Sequence, residues 1–232
     1  MNIVITGASQ GIGFAIAQQF AAHGHDLYLT SKTPSSLDKA VAALRSQFPS
    51  MTIEYFAADL SRKDNVDAFS KWCLQLTQPH MLINNAGNFA PGKLMDEPEG
   101  QLQHQLDTNL FSAYHLTRAI LPSMLANKSG HIFNICSIAS IGAYENGGAY
   151  SISKFALLGF SKNLRLELKD KGIKVTAVCP GAVYTNSWSG SGVDPKRIME
   201  ASDIAKMIYA ASQLSPQAVV EDIVMRPQLG DL

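Results

Sequence analysis

Residues 2–13 read NIVITGASQGIG, five residues of strand character running through a glycine-punctuated turn into a helix. Beyond the turn Ile12, Ala15, Ile16, Gln19 and Phe20 recur at a period of 3.6, and Gly24 ends the helix where a left-handed residue is needed. A glycine turn between a strand and a helix N-terminus is where a chain binds phosphate, because backbone N–H groups and the positive end of the helix converge there. Gly7 permits the tight turn, Gly11 lets the backbone approach a pyrophosphate, and Gly13 lets the helix pack closely on the sheet. Ser9, Gln10 and Ile12 complete the loop that would touch such a ligand. The spacing is GxxxGxG rather than GxGxxG, so it is the position within a βαβ unit that points to a dinucleotide site.

Outward from this unit the same alternation continues. Strand-like runs stand at 26–30 (DLYLT), 52–57 (TIEYFA), 80–84 (HMLIN), 131–136 (HIFNIC), 173–178 (IKVTAV) and 218–225 (AVVEDIVM). Thr33 and Pro34 open a helix as cap and first-turn proline, with Leu37, Val41 and Leu44 on its inner face. A helix around 100–120 carries Leu102, Leu106, Leu110, Ala113 and Leu116, and one around 150–169 carries Leu157, Phe160, Leu164 and Leu168. Mostly apolar strands alternating with helices predict an α/β fold, a doubly wound seven-stranded parallel sheet with helices on both faces. No linker, repeat or low-complexity stretch interrupts it, which predicts a single domain over residues 1–232. The least regular stretch, about 184–200, reads as a surface loop or as a lid over a substrate.

Composition narrows the partners. No apolar run in the 232 residues approaches the ~18 to 20 needed to span a bilayer, and MNIVITGAS lacks the basic start of a secretory signal. Nineteen basic against nineteen acidic residues argue against a nucleic-acid or polybasic membrane binder. Charged residues are 16 % of the chain, against a typical ~25 %, which favours burial of some outer surface in a homo-oligomer. Cys73, Cys136 and Cys179 include no CxxC pair and read as core thiols of a cytoplasmic protein. The six histidines show no HExxH and no zinc-ligand spacing with the cysteines, so no metal is expected.

In an open α/β sheet the ligand lies along the carboxyl ends of the strands. After the second strand stand Ser31 and Lys32 with no Asp or Glu nearby, a cation and hydroxyls that suit a ribose 2′-phosphate and favour NADP(H) over NAD(H). Asp59 and Leu60 after the third strand, and Asn85, Ala86 and Gly87 after the fourth, are suited to holding adenine and ribose. Tyr150 and Lys154 stand four apart at the start of a helix and so share a face. Tyr28 and Lys32 have the same spacing but begin on a strand, where four steps separate side chains by about 13 Å. Ser137 ends the fifth strand, and Asn109 lies on the inner side of the helix expected to pass behind the site.

TGASQGIG at 6–13, NNAG at 84–87, Asn109, Ser137, Tyr150 with Lys154, and Pro180–Gly181 followed by Thr185 resemble the short-chain dehydrogenase/reductase family, in its order and spacing. The resemblance implies a Rossmann fold and a tetrad of Asn109, Ser137, Tyr150 and Lys154 acting with NAD(P) on a small carbonyl or alcohol substrate. It also implies that Pro180, Val183 and Thr185 meet the nicotinamide end, and that the helices near 100–120 and 150–169 make homodimer or homotetramer contacts. A free tyrosine has a pKa of ~10, and one positive charge at ~5 Å contributes ~3 kcal/mol, so Lys154 and an oxidised nicotinamide are expected to lower Tyr150. Ser137 would polarise the substrate oxygen, Tyr150 donate the proton, and Asn109 hold a water leading from Lys154 to solvent. Gln10 departs from the Arg or Lys of many NADP-using relatives, and the short segment after Thr185 suggests an open site. Openness suits an acyl thioester, similar to the 3-oxoacyl-carrier-protein reductase branch. The alternatives are a broad-specificity ketone, aldehyde or sugar reductase and, since the tetrad is complete, less readily a non-catalytic NAD(P) sensor.

Overall fold

The computed structural model describes residues 1–185, 188 and 192–232. The chain runs through β1 (Asn2–Thr6), α1 (Gly11–Ala22), β2 (Asp26–Thr30), α2 (Pro34–Gln47), β3 (Ile53–Tyr55), α3 (Lys63–Leu76), β4 (Met81–Asn84) and α4 (Gln101–Leu106). A π-helical turn (Asp107–Phe111) then leads into α5 (Ser112–Asn127), β5 (Gly130–Ile135), α6 (Gly148–Leu168), β6 (Ile173–Pro180), β7 (Val183–Tyr184), β8 (Met199–Glu200), α7 (Ala201–Ser212) and β9 (Asp222–Met225). Seven strands form one sheet in the order β3-β2-β1-β4-β5-β6-β9. Every neighbouring pair in it is parallel, as the alternating pattern predicts.

Within β1 the side chains alternate between two cores. Ile3 and Ile5 pack with Ile16, Phe20, Leu37 and Ile208 on the face covered by α1, α2 and α7. Val4 points the other way, into a cluster with Phe69, Leu116, Ile132 and Leu164 beneath α3, α5 and α6. A buried polar chain threads the second layer: Asn84 Nδ2 donates to Thr117 Oγ1 at 2.9 Å and to Asn134 Oδ1 at 2.8 Å, and Asn134 Nδ2 donates to Ser161 Oγ at 2.8 Å. These bonds fix the heights of α5 and α6 against β4 and β5, and so the placement of what those helices carry.

The differences from the sequence reading have local causes. The runs expected at 52–57 and 218–225 shorten to Ile53–Tyr55 and Asp222–Met225, because each is an edge strand with one neighbour in the sheet. Gly24 is left-handed, at φ +79°, as the helix stop requires. Thr33 occupies the cap position of α2 without a side-chain capping bond, while Pro34 sits in the first turn. The helix expected around 100–120 is broken by the π turn, and its inward side there is Gln105 and Asn109 rather than Leu102, which is exposed. One extra residue in the turn shifts the register, so the expected stripe meets the core from Leu110, which is partly buried, through the buried Ala113 and Leu116. Of the loop expected at about 184–200, residues 186, 187 and 189–191 lie outside the described residues. The flanks close on each other as the parallel pair β7–β8. Among the described residues no helix is long and apolar enough to cross a membrane.

His131 makes the sheet acid-sensitive. It is buried in β5 between β4 and β6, with Nε2 2.8 Å from Thr176 Oγ1 and its ring stacked on Phe133. Burial, aided by the Lys174 charge, lowers its pKa from 6.5 to about 3. Between these values the unfolded chain holds a proton that the folded chain does not, so this group's contribution to stability falls as pH falls below 6.5 and is constant above it. The slope approaches about 1.4 kcal/mol per pH unit. Urea midpoints measured from pH 7 to pH 4 are expected to fall less steeply in His131→Gln than in the parent chain; equal slopes would refute this.

Candidate active site

Strand order reverses between β1 and β4, and their following segments leave on opposite faces. At such a switch point the carboxyl ends of the strands open a crevice. Here it is a cavity of about 980 Å³. Its wall brings together Gly7, Ser9, Gln10, Gly11, Ile12, Ser31, Lys32, Asp59, Leu60, Asn85, Ala86, Gly87, Ser137, Tyr150, Lys154, Pro180, Val183 and Thr185. Of the residues singled out from the sequence, Gly13 and Asn109 stand behind this wall and support it.

One end of the cavity is built from backbone. Gly7 and Gly11 hold φ of +63° and +56°, and Gln10 at the cap of α1 lends no side-chain bond to the helix amides. Nor does α1 carry an acidic residue in its first turn, so the positive helix end meets the cavity without a carboxylate in the way. Thr6 Oγ1 accepts from Asn85 N at 2.9 Å and Ala86 N at 2.8 Å, and Asn85 Nδ2 donates to Thr6 O and Gly7 O. The side chain of Asn85 therefore fastens the glycine loop to β4. A Cβ on Gly7 would stand 2.8 Å from Asn85 Nδ2, so the absent side chain is what lets the loop close. This cradle fits a pyrophosphate. At the rim Ser9 Oγ lies 2.8 Å from Ser31 Oγ, and Lys32 Nζ lies 2.9 Å from Asp59 Oδ2. Partial burial opposes ionisation of Asp59, but bonds from Lys32 and Ser61 outweigh it and hold the carboxyl below its usual range. The Lys32 side chain is 70 % exposed, so the ion pair is weak and Lys32 can turn toward another anion.

The other end carries ionisable side chains. Ser137 follows β5 and starts a 3₁₀ turn, its Oγ accepting from Ala139 N at 3.1 Å while its own N–H donates to Ser140 Oγ. Ser151 Oγ donates to Ala139 O at 3.0 Å, tying the first turn of α6 to this turn. Tyr150 and Lys154 project from α6 one turn apart. Lys154 is 5 % exposed; its Nζ donates to Ile135 O at 2.9 Å and lies 5.9 Å from the Tyr150 ring centre. Burial lowers the pKa of Lys154. Burial also pushes Tyr150 up to about 12, with hydrogen bonding to Ser137 pulling the other way and Tyr144 and Cys136 adding to the rise. The sequence reading expected the ammonium and an oxidised nicotinamide together to bring the phenol down; in the chain by itself burial sets the direction. Tyr150 is thus a phenol that keeps its proton and can donate it.

Asn109 sits in the π turn, 1 % exposed. Its Oδ1 accepts from Asn88 N at 2.7 Å, and its Nδ2 donates to Asn88 O, Gln105 Oε1 and Ser153 Oγ. A Cβ on Gly87 would stand 3.1 Å from Asn109 Oδ1 and 3.4 Å from Lys154 Nζ, so these two side chains converge behind Gly87. Insertion of one residue into the helix is what turns Asn109 inward here.

Sequence reasoning missed several lining residues. Phe89 packs edge-on against Tyr150, ring centres 4.9 Å apart at 90°. Tyr144, Trp188, His104 and the ion-paired Arg226 and Asp231 also line the cavity. They lie outside the motifs, and all but His104, which is in α4, stand on segments between the main elements, where no periodicity marks them.

Comparison with known proteins agrees with this geometry. A family model described as short chain dehydrogenase matches residues 1–194. A sepiapterin reductase from Chlorobaculum tepidum is 33 % identical over 99 % of this chain and 97 % of its own length. The structure of an alcohol dehydrogenase from the archaeon Thermococcus sibiricus, complexed with 5-hydroxy-NADP, superposes with a TM-score of 0.90 at 25 % identity, covering 100 % of this chain and 98 % of that one. L-sorbose reductase from Gluconobacter frateurii, complexed with NADPH and L-sorbose, gives a TM-score of 0.87 at 26 % identity over 97 % of this chain and 94 % of that one.

Proposed function

Because the chain belongs to the short chain dehydrogenase family and is an oxidoreductase acting on CH–OH groups, we propose that it interconverts a carbonyl and an alcohol with NADP(H), over a single domain of residues 1–232. The observation that carries the reading is the convergence of Ser137, Tyr150 and Lys154 in one cavity with the glycine cradle at the start of α1. In it Gly7, Gly11 and the first turn of α1 hold the pyrophosphate, with Ser9, Gln10 and Ile12 beside it. Ser31 and Lys32 meet the 2′-phosphate, Asp59, Leu60, Ala86 and Gly87 the adenosine, and Pro180, Val183 and Thr185 the nicotinamide. The bound cofactor supplies a hydride from the reduced nicotinamide.

The chain's own residues do the rest. Ser137 donates a hydrogen bond to the substrate oxygen and holds it beside the Tyr150 hydroxyl. Tyr150 gives up its proton as charge grows on that oxygen. Lys154, fixed on Ile135 O, places its cation where it stabilises the phenolate left behind, and Asn109 with Lys154 leads to solvent for reprotonation. The NADP(H) complexes among the structural relatives and the exposed Lys32 cation beside Ser31 both support NADP(H). Lys32→Ala is expected to raise KM for NADPH about tenfold and leave KM for NADH nearly unchanged. Equal effects on both cofactors would contradict the assignment of Lys32.

For the substrate, the aromatic walls Phe89 and Tyr144 beside Tyr150 favour a ketone on a planar ring, a reading that the sepiapterin reductase relative supports. A 3-oxoacyl thioester is the second reading, supported by the cavity's volume of about 980 Å³. NADPH consumption with a ring ketone and with an acetoacetyl thioester separates the two; consumption with neither, nor with simple aldehydes and sugars, would count against a reductase. Ile152, Phe155 and Leu166 remain exposed along one side of α6, which supports the homodimer or homotetramer reading.

A further inference from the structure

We infer that Glu97 is a positioning residue for the proton donor, fastening the first turn of α6, which carries Tyr150, to the segment between β4 and α4, which carries Phe89. The inference rests on the proposed role of Tyr150. Glu97 Oε1 accepts a hydrogen bond from Ala149 N at 2.8 Å, across 52 residues of sequence. Gly147, at the cap of α6, has no side chain to offer the helix amides, so Glu97 supplies the acceptor from outside. A carboxylate is favoured at this positive helix end.

The fit at this junction is close. A Cβ on Gly148 would collide with Glu97 Oε1 and Gly92 O and stand 3.0 Å from Glu97 Cδ, so the carboxylate fills the space that a side chain there would take. Gly92 N donates to Asn146 O at 2.9 Å, adding a backbone tie beside it. At its other end the segment is held by Asn109, bonded to both the N–H and the C=O of Asn88. Between the two clamps Phe89 meets the Tyr150 ring edge-on. The phenol is therefore fixed from two sides, through its helix by Glu97 and through its ring by Phe89. Released from Glu97, the first turn of α6 loses an amide partner and Phe89 loses one of its two anchors. Displacement of a reacting group by about 1 Å costs up to about 100-fold in rate.

The test compares Glu97→Ala, Glu97→Asp and Glu97→Gln with the parent chain for kcat, NADPH affinity, Tm and hydrogen exchange at the Ala149 amide. Glu97→Ala is expected to lower kcat about 10- to 100-fold, to leave NADPH affinity unchanged and to speed exchange at Ala149. Glu97→Gln still presents an oxygen to Ala149 N and is expected to recover most of kcat. Glu97→Asp keeps the charge on a shorter arm and should not, which keeps the proposal testable if Glu97→Ala folds poorly. Parent-level kcat in Glu97→Ala or Glu97→Asp would overturn the inference, as would a joint fall in kcat, NADPH affinity and Tm that Gln does not rescue. If Tyr150→Phe retained activity, the proton-donor reading itself would fail; if that variant is inactive and Glu97→Ala is not, only the role of Glu97 falls.

Discussion

Tyr150→Phe is expected to lower kcat for carbonyl reduction about 1,000-fold, within the range that a positioned general acid contributes, while NADPH binds as before. The substitution removes one oxygen and its proton from a ring whose packing remains. Phe89 still meets the ring edge-on, Lys154 still bonds Ile135 O, and α6 keeps its ties to Ala139 and Glu97. A loss of rate therefore reports on the proton. Burial holds the phenol at about 12, so at neutral pH it stays protonated and ready to donate; in the oxidation direction it must first lose that proton, and activity should climb with pH. Steady-state kinetics beside a fluorescence titration of NADPH separates loss of chemistry from loss of binding. A variant with half the parent rate would show that another group supplies the proton.

Gly13→Ala is expected to do comparable damage by a different route, abolishing NADPH binding at concentrations that saturate the parent chain. A Cβ at this position would collide with Gly7 O and Asn85 Nδ2 and stand 2.9 Å from Gly7 C. Gly7 O is backbone and cannot swing aside. Asn85 can move only by giving up its bonds to Thr6 O and Gly7 O, which hold the glycine loop to β4. Either response shifts the start of α1 away from the loop, and the cradle opens. Overpacking of this kind costs about 1–3 kcal/mol in stability, so a fall in Tm should accompany the loss of affinity. Binding at the parent level would show that α1 and the loop can separate without cost to the site.

Most of the fold was legible because its decisive signals are local. Ile3, Val4 and Ile5 alternate between two cores, and Gly7, Gly11 and Gly24 mark positions where the backbone must turn left-handed. The meeting of the nominated residues at one cavity follows from parallel strands ending on the same side. What the sequence concealed depends on contacts between distant segments. The π turn at Asp107–Phe111 leaves no trace in the leucine spacing, because a polar network around Asn109, and not apolar periodicity, decides which side faces inward. Glu97 reads as one more acid in a charged stretch until α6 is placed beside it. The burial that raises Tyr150 in the chain by itself is hidden for a related reason, since charges can be counted from sequence but desolvation needs the walls.

The central claim is that this cavity passes a hydride to a carbonyl carbon while Tyr150 protonates the oxygen, and isotope transfer tests it most directly. The parent chain is incubated with NADPH deuterated at the transferable C4 position and a ring ketone, and the alcohol product is weighed by mass spectrometry. One deuterium on the carbinol carbon, with product nearly absent from Tyr150→Phe, is the predicted result. Alcohol without the label, or equal labelled product from Tyr150→Phe, would contradict it.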